Sequence, residues 1–371
     1  MQPKTINDPI FEIAITQIPG VGSVLAKHLV SYCGSPEEVL KQKKQKLLRI
    51  PGIGEKTADS IVTFNGYKRI EKELKFIERH GIKALSYLND DYPQRLKNIA
   101  DAPCMLYTLG KMDLNNAKVI AIVGTRKATD YGRQFIDQLT EALVPTGCLV
   151  VSGLAYGIDI QAHRAALRCH LPTVGVLAHG LDRLYPSQHT TTAKRMIENG
   201  GLITEYMSET NPDKENFPTR NRIVAAMCDA IVVAETAQRG GAMITAQMAF
   251  AYDKDVFALP GKITDTYSAG CIKLIQENKA VMITSPDDVL TWLNWHTHSQ
   301  NLATGIQPVL PLHLSKQELN IIQHLREKGK TSIDDLVFEL SIEQGALSLM
   351  LLGLEMQGFI RALPGKNYEL G

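Results

Sequence analysis

KVIAIVGTRK (residues 118–127) decides the fold. Five consecutive apolar residues are too few for a helix and carry no alternation, so the run reads as a strand covered on both faces. It ends on a glycine, a small hydroxyl and two cations. The same grammar returns at CLVVSG (148–153), TVGVLAHG (173–180), GLITEY (201–206), AIVVAET (230–236), DVFALPG (255–261) and AVMITS (280–285). Helical patterns separate these runs, which implies parallel βαβ units. About seven strands from residue 118 to 295 make an α/β, doubly wound parallel sheet of extended Rossmann-like form.

Outward from this region, residues 84–117 read as a mixed connector leading into the sheet, within an α/β segment spanning 84–295. Residues 1–80 read as a separate helical segment with an internal repeat: IPGVGSVLAKHLV (18–30) returns as IPGIGEKTADSIV (50–62). Each copy gives a tight glycine turn and then an amphipathic helix, the form of a helix-hairpin-helix, whose free amides can hold a phosphate. Residues 41–83 carry twelve Lys/Arg against five Asp/Glu. Residues 296–312 read as a polar linker. Residues 313–371 read as three helices and a hairpin around PGK, a small winged helix. Its third helix lacks Lys and Arg, so duplex readout through it is not expected.

The net charge of +1 neither favours nor excludes nucleic acid. Six scattered cysteines show no metal-ligand spacing, so idle thiols in a reducing cytosol are expected. Residues 1–9 do not form a signal peptide and no apolar run reaches membrane-spanning length, so the expected location is the cytoplasm, with no membrane partner.

Ligands of an open parallel sheet sit beyond the carboxyl ends of its strands. There the sequence places Gly124, Thr125, Arg126 and Lys127, then Ser152 and Gly153, then Arg239, Gly240 and Gly241, then Lys262. FPTRNRIVAA (217–226) adds Arg220, Asn221 and Arg222, read as the first turn of a helix capped by Thr219. A helix N-terminus disfavours cations by ~0.3–1 kcal/mol, unless an anion bridges guanidinium and helix end. The competing reading pairs each arginine with an acid such as Asp159, Asp182 or Glu205. No G-x-G-x-x-G or G-x-x-x-x-G-K-[ST] occurs, so neither a dinucleotide cofactor nor ATP-driven work is expected. No cofactor, metal or catalytic residue is assigned. Asp159 and His163, four apart on one helix face, are read as ordering the helix start. Tyr131, Tyr156, Tyr185 and Phe217 lie near the sheet edge, where bases could stack.

GTR at 124–126 with Tyr131-Gly132, SGLAYGIDIQAH (152–163), GLDRLYP (180–186), FPTRNRIV (217–224), GGAMITAQMA (240–249) and VFALPG (256–261) together resemble the DNA-processing protein A family (DprA/Smf). The resemblance spans about residues 84–290. It implies a homodimeric, non-enzymatic single-stranded DNA-binding protein that protects incoming DNA in natural transformation, loads the recombinase RecA and helps displace single-strand binding protein. It carries Arg126, Arg220 and Arg222 over as ligands of DNA, with Gly240 and Gly241 as a small-residue turn; Lys262 is added by position. Ala178-His179-Gly180 and Gly270-Cys271-Ile272 depart from the family pattern. Two other readings remain: a nucleotide-binding protein or N-glycosidic hydrolase of related fold, against which stands the lack of an acid beside Thr245 and Gln247, and a duplex-DNA regulator acting through the winged helix.

Overall fold

The structure is a computed structural model that describes residues 9–296, 314–340, 342–356, 359–363 and 366–370. The linker, apart from His296, and the first eight residues lie outside the described residues. The described residues up to 296 form one compact unit and those from 314 a second.

The larger unit is built on a nine-stranded sheet: β1 (Lys83–Ser86), β2 (Met105–Lys111), β3 (Val119–Val123), β4 (Leu149–Ser152), β5 (Thr173–Val176), β6 (Gly200–Thr204), β7 (Ala230–Val233), β8 (Asp255–Ala258) and β9 (Val281–Met282), in spatial order β1-β2-β6-β5-β4-β3-β7-β8-β9. The seven strands from β3 to β9 are parallel. β1 and β2 extend the sheet antiparallel past β6, so the stretch expected to be a connector holds two strands. Within MLYTLGK, residues 107–111 pair with β6 (Tyr107 opposite Thr204), where Gly110 faces Gly201 closely enough that a side chain at Gly110 would run into backbone.

β3, β4, β5, β6 and β7 are buried along their whole length, which explains their unbroken apolar runs. One core lies on the face covered by helices Asn216–Met227 and Gly241–Ala251, another under helices Asp130–Leu143 and Ile158–Arg168.

The N-terminal helices do not stand apart from the sheet. Glu73, buried on helix Tyr67–His80, accepts from the Ser208 amide at 2.9 Å, from Ser208 Oγ at 2.5 Å and from Arg69 Nη1 at 2.9 Å. The first hairpin turn is tied down as well: Lys27 Nζ donates to the carbonyls of Ile99 and Ala100 at 3.3 and 3.2 Å. In both hairpins the glycine that makes the turn has positive φ, +80° at Gly20 and +82° at Gly52, a region open to glycine at no steric cost.

The smaller unit has helices Lys316–Lys328, Ile333–Leu340 and Gln344–Met356 and a hairpin of Ile360–Leu363 with Asn367–Leu370, as expected; Thr331–Ser332 adds a third short strand. Among the described residues no single helix is long and apolar enough to cross a membrane.

His163 lies fully inside the α/β core, its Nδ1 2.7 Å from Thr173 Oγ1 and its Nε2 without a partner. It does not engage Asp159. Burial is the first cause that drives its pKa from 6.5 down to about 3. Between those values the unfolded chain takes up a proton that the folded chain refuses, so stability falls as pH drops. Urea unfolding at pH 7 and pH 5 is expected to show the parent losing about 2 kcal/mol more than His163→Gln, which cannot titrate. Equal losses would remove His163 as the cause.

Candidate nucleic-acid interface

The parallel order reverses at β3. From β3 the chain moves to β4, β5 and β6 on one side, whereas β7, on the other side of β3, leads on to β8 and β9. No crossover covers the carboxyl ends of β3 and β7, and a crevice opens there. It is a cleft of about 360 Å³ lined by residues from the exits of β3, β4 and β7 and from the starts of two helices.

The cleft floor is made by backbone that no side chain could share. Beyond β3, Gly124 packs against Ile158 and comes so near the Glu235 carbonyl that a Cβ would sit 3.0 Å from it. The Thr125 amide donates to that carbonyl at 2.6 Å, and the Thr125 carbonyl accepts from the Ile158 amide at 3.1 Å. Glu235 also sets the next helix. Its buried carboxylate accepts from the Thr129 amide at 2.9 Å and from Thr129 Oγ1 at 2.5 Å, while Thr129 caps helix Asp130–Leu143. Sequence reading passed over Glu235; the signal was an acid closing the otherwise apolar run AIVVA.

Of the residues expected at the site, Gly124, Thr125, Arg126, Lys127, Gly153, Arg220, Asn221, Gly240 and Gly241 line this one cleft. Arg126 and Lys127 are exposed at its mouth. Arg220 is 5 % exposed and forms the floor. Its Nη1 donates to the Val176 carbonyl and its Nε to Asn221 Oδ1 at 3.2 Å. The Phe217 ring lies between the two guanidinium groups, 5.7 Å from Arg126 Cζ and 6.0 Å from Arg220 Cζ. Among the described residues no carboxylate oxygen comes within 4.0 Å of either guanidinium. The nearest influence is Asp159, also in the cleft wall. Burial raises its pKa, opposed by Arg220, and burial lowers that of Arg220, opposed by Asp159. Helix Gly241–Ala251 begins at Gly240 with no side-chain cap, so its first amides are open to an anion.

Four expected residues lie elsewhere. Ser152 is fully buried and donates to the Ile122 carbonyl at 2.6 Å. Arg239 and Lys262 are exposed but do not line the cleft. Arg222 points to the other side of its helix. Its Nη2 pairs with Glu205 Oε2, both side chains being largely buried at 11 % and 14 % exposure. It lines a separate cavity of about 330 Å³ between the first hairpin turn, at Gly22 and Ser23, and the segment after β6. The reason is helical phase. The helix begins at Asn216 with Glu215 before it, and Thr219 Oγ1 donates to the Glu215 carbonyl instead of capping. Arg220 and Arg222 therefore stand in the second turn, two residues and about 200° apart, and face opposite cavities. For Arg222 the acid-pairing alternative is the one the structure realises.

Of the four aromatic candidates, Phe217 lines the cleft. Tyr156 and Tyr185 border an adjoining pocket of about 50 Å³ that shares Arg126, Phe217 and Arg220 with it. Tyr131 is turned away, its hydroxyl donating to the Pro260 carbonyl at 2.9 Å. The two departures from the family pattern are both packed against the fold: in the turn after β5, His179 Nε2 accepts from the Tyr185 amide at 3.2 Å, and at the start of helix Ala269–Gln276 the Gly270 amide donates to the Thr236 carbonyl at 2.8 Å. No group of three or more His, Cys, Asp or Glu among the described residues is arranged to hold a metal ion.

Comparison with known proteins decides the family. The model of the DNA recombination-mediator protein A family matches residues 83–294, that of the SAM-like helix-hairpin-helix tandem 12–64, and that of the DprA winged helix domain 307–366. The chain belongs to the DNA-processing protein A (DprA/Smf) family. Protein Smf of Synechocystis sp. is 31 % identical over 398 residues, covering 98 % of this chain and 99 % of that protein. Among solved structures, DprA of Streptococcus pneumoniae superposes with a TM-score of 0.67 at 31 % identity, over 77 % of this chain and 98 % of that one. DNA processing protein A of Helicobacter pylori, whose structure describes its single-stranded DNA binding mode, superposes with a TM-score of 0.53 at 28 % identity, over 57 % and 95 %. The cleft lies wholly within the segment matched by the DprA family model.

Removing Arg222 leaves the Glu205 carboxylate buried and unpaired. Arg222→Ala is expected to lower the unfolding free energy by about 3 kcal/mol. Calorimetry checks this, and a loss below about 1 kcal/mol would mean that the pair is not structural.

Proposed function

We propose that this chain binds single-stranded DNA by its phosphodiester backbone in the cleft at the β3/β7 switch point. The observation that carries the reading is a pair of guanidinium groups, Arg126 and Arg220, gathered around the half-buried ring of Phe217 with no carboxylate among the described residues within 4.0 Å to neutralise them. Lys127 and the uncapped start of helix Gly241–Ala251 add donors on the same cleft. Arg126 can swing at the mouth and meet phosphates from solvent. Arg220 is fixed from behind by Val176 and Asn221 and meets whatever reaches the floor. The single-stranded DNA binding of the Helicobacter pylori relative supports the choice of ligand. Phosphate contacts of this kind give affinity without reading bases, and a strand flexible enough to enter a cleft of this size is single.

The binding role extends to protection of the strand during natural transformation and its transfer to RecA, with displacement of single-strand binding protein as the consequence. The protein acts as a cytoplasmic homodimer and performs no covalent chemistry of its own. Arg239 and Lys262, exposed near the same strand exits, serve as outer contacts for a strand that continues past the cleft. Arg222 has no contact with DNA and belongs to the scaffold.

Fluorescence titration of a labelled oligothymidine is the test. Arg126→Ala and Arg220→Ala are each expected to weaken binding by about 1–3 kcal/mol and to flatten its dependence on salt, since each removes a phosphate contact. Arg222→Ala, assayed where it is folded, is expected to bind like the parent. Parent-like affinity in both cleft variants would sink the assignment.

A further inference from the structure

Asp159 is out of place in a site for phosphates. It is 7 % exposed, lines the same cleft as Arg126 and Arg220, and brings a carboxylate to a place where an anion is to be received. It is also not an ion-pair partner, because no nitrogen of Arg220 comes within 4.0 Å of it. The two groups instead flank Gly153. A methyl group added at Gly153 would collide with Asp159 Oδ2 and lie 2.8 Å from Arg220 Nη2 and 3.0 Å from Nη1. Asp159 Oδ2 and Arg220 Nη2 thus close in on the Gly153 Cα from two sides, an approach that only glycine permits, and all three residues face the cleft.

The bonding inventory of this space is specific. Arg220 Nη1 and Nε are used by Val176 and Asn221, whereas Nη2 has no partner among the described residues. It is also absent from the polar atoms that are both occluded and unpartnered, so it faces the cleft. Asp159 Oδ2 accepts a long bond from the Ala155 amide at 3.3 Å and the Ser152 hydroxyl also lies beside the carboxylate, whose two oxygens still leave lone pairs for another donor. A free donor and a free acceptor therefore converge on one point. A phosphate oxygen there satisfies Arg220 and is repelled by Asp159. An ammonium group does the reverse. A hydroxyl satisfies both, donating to the carboxylate while accepting from the guanidinium.

We propose that the space between Asp159, Arg220 and Gly153 is a subsite for a sugar hydroxyl, so that the cleft recognises the 3′-terminal nucleotide of a DNA strand and not only its internal backbone. This rests on the strand-binding role of the same cleft. Within an unbroken DNA strand no sugar carries a free hydroxyl; the 3′ end supplies one, and an RNA strand supplies a 2′-hydroxyl at every residue. The phosphate 5′ to the terminal sugar then faces the donors at the cleft mouth, Arg126, Lys127 and the helix start at Gly241.

The test compares four ligands labelled at the 5′ end: a DNA 12-mer with a 3′-hydroxyl, the same 12-mer ending in a 2′,3′-dideoxynucleotide, an RNA 12-mer blocked by a 3′-phosphate, and the DNA 12-mer blocked in the same way. The hydroxyl-ended DNA is expected to bind about tenfold more tightly than the dideoxy-ended DNA, the effect of one charge-assisted hydrogen bond. Asp159→Asn, which keeps the shape and loses the charge, is expected to shrink that ratio toward unity. Blocked RNA binding as tightly as hydroxyl-ended DNA supports the subsite and identifies the 2′-hydroxyl as a second source. Equal affinity of all four ligands, unchanged by Asp159→Asn, overturns the proposal and leaves a water molecule in the space. The strand-binding role fails separately, if Arg126→Ala leaves the affinity of every ligand untouched.

Discussion

A reversal of strand order is the constraint on which the rest depends. A parallel sheet must return the chain from the end of each strand to the start of the next, and the returning helix normally covers the strand's carboxyl end. Between β3 and β7 the connections depart in opposite directions, and backbone carbonyls and amides are left facing a crevice. Everything that makes the cleft is a way of living with that opening. Glu235 at the end of β7 accepts from Thr129 and so joins the β7 exit to the helix after β3. Gly124 and Gly153 let the chain turn where any side chain would meet Ile158, Asp159 or Arg220. Cations, the Phe217 ring and the Asp159 carboxylate share the surface that remains.

Burial decides which cations are ligands and which are struts. Arg220 and Arg222 sit two positions apart in one helix and look equivalent on paper. The guanidinium of Arg222 finds Glu205 and closes a buried pair whose loss leaves an orphan charge. Arg220 finds only a carbonyl, an amide oxygen and a carboxylate beyond ion-pair range, so part of its charge is still available to a ligand. Holding an arginine this deep is costly, as the downward pull of burial on its pKa shows. The sheet and Asp159 supply that stabilisation in the absence of DNA, and a phosphate or a hydroxyl completes it.

The fold was legible in the sequence to the extent that its period was. Five of the seven parallel strands, β3 to β7, are buried along their whole length and leave nearly unbroken apolar runs; β8 and β9 are buried only in part, yet their apolar runs mark them too. β1 and β2 are not legible in the same way, because KALS is short and MLYTLGK forms by pairing to β6, a partner far away in the chain, with β1 then added on the outer edge of β2. Capping chemistry misleads where a capping residue type falls inside a helix: Thr219 reads as a cap and is not one. At Pro218-Thr219 a threonine and a proline imitate a cap inside a helix already under way, its hydroxyl turned back to the Glu215 carbonyl. That displacement of the cap by four residues, from Glu215 to Thr219, is what makes Arg222 look like a partner of Arg220. Spacing shows that residues share a helix, but phase against the neighbouring elements decides which cavity each one sees.

The same argument separates the two helix-hairpin-helix copies. In sequence they are near repeats, with equal claims on a phosphate. In the structure the first is spent on the protein itself: Cys104 Sγ donates to the Ser23 carbonyl at 3.4 Å, Lys27 is bound to Ile99 and Ala100, and Gly22 and Ser23 border the cavity that holds Arg222. The second turn, Pro51 to Gly54, is mostly exposed, but its helix begins with Glu55, and Lys44 binds both Glu55 at 2.6 Å and Asp59 at 2.7 Å. A carboxylate already at the helix start occupies the position that a phosphate would take. One copy is thus engaged by the sheet and the other carries its own anion. The helical segment is tied to the scaffold through Glu73, which accepts from Ser208 on the segment that follows β6.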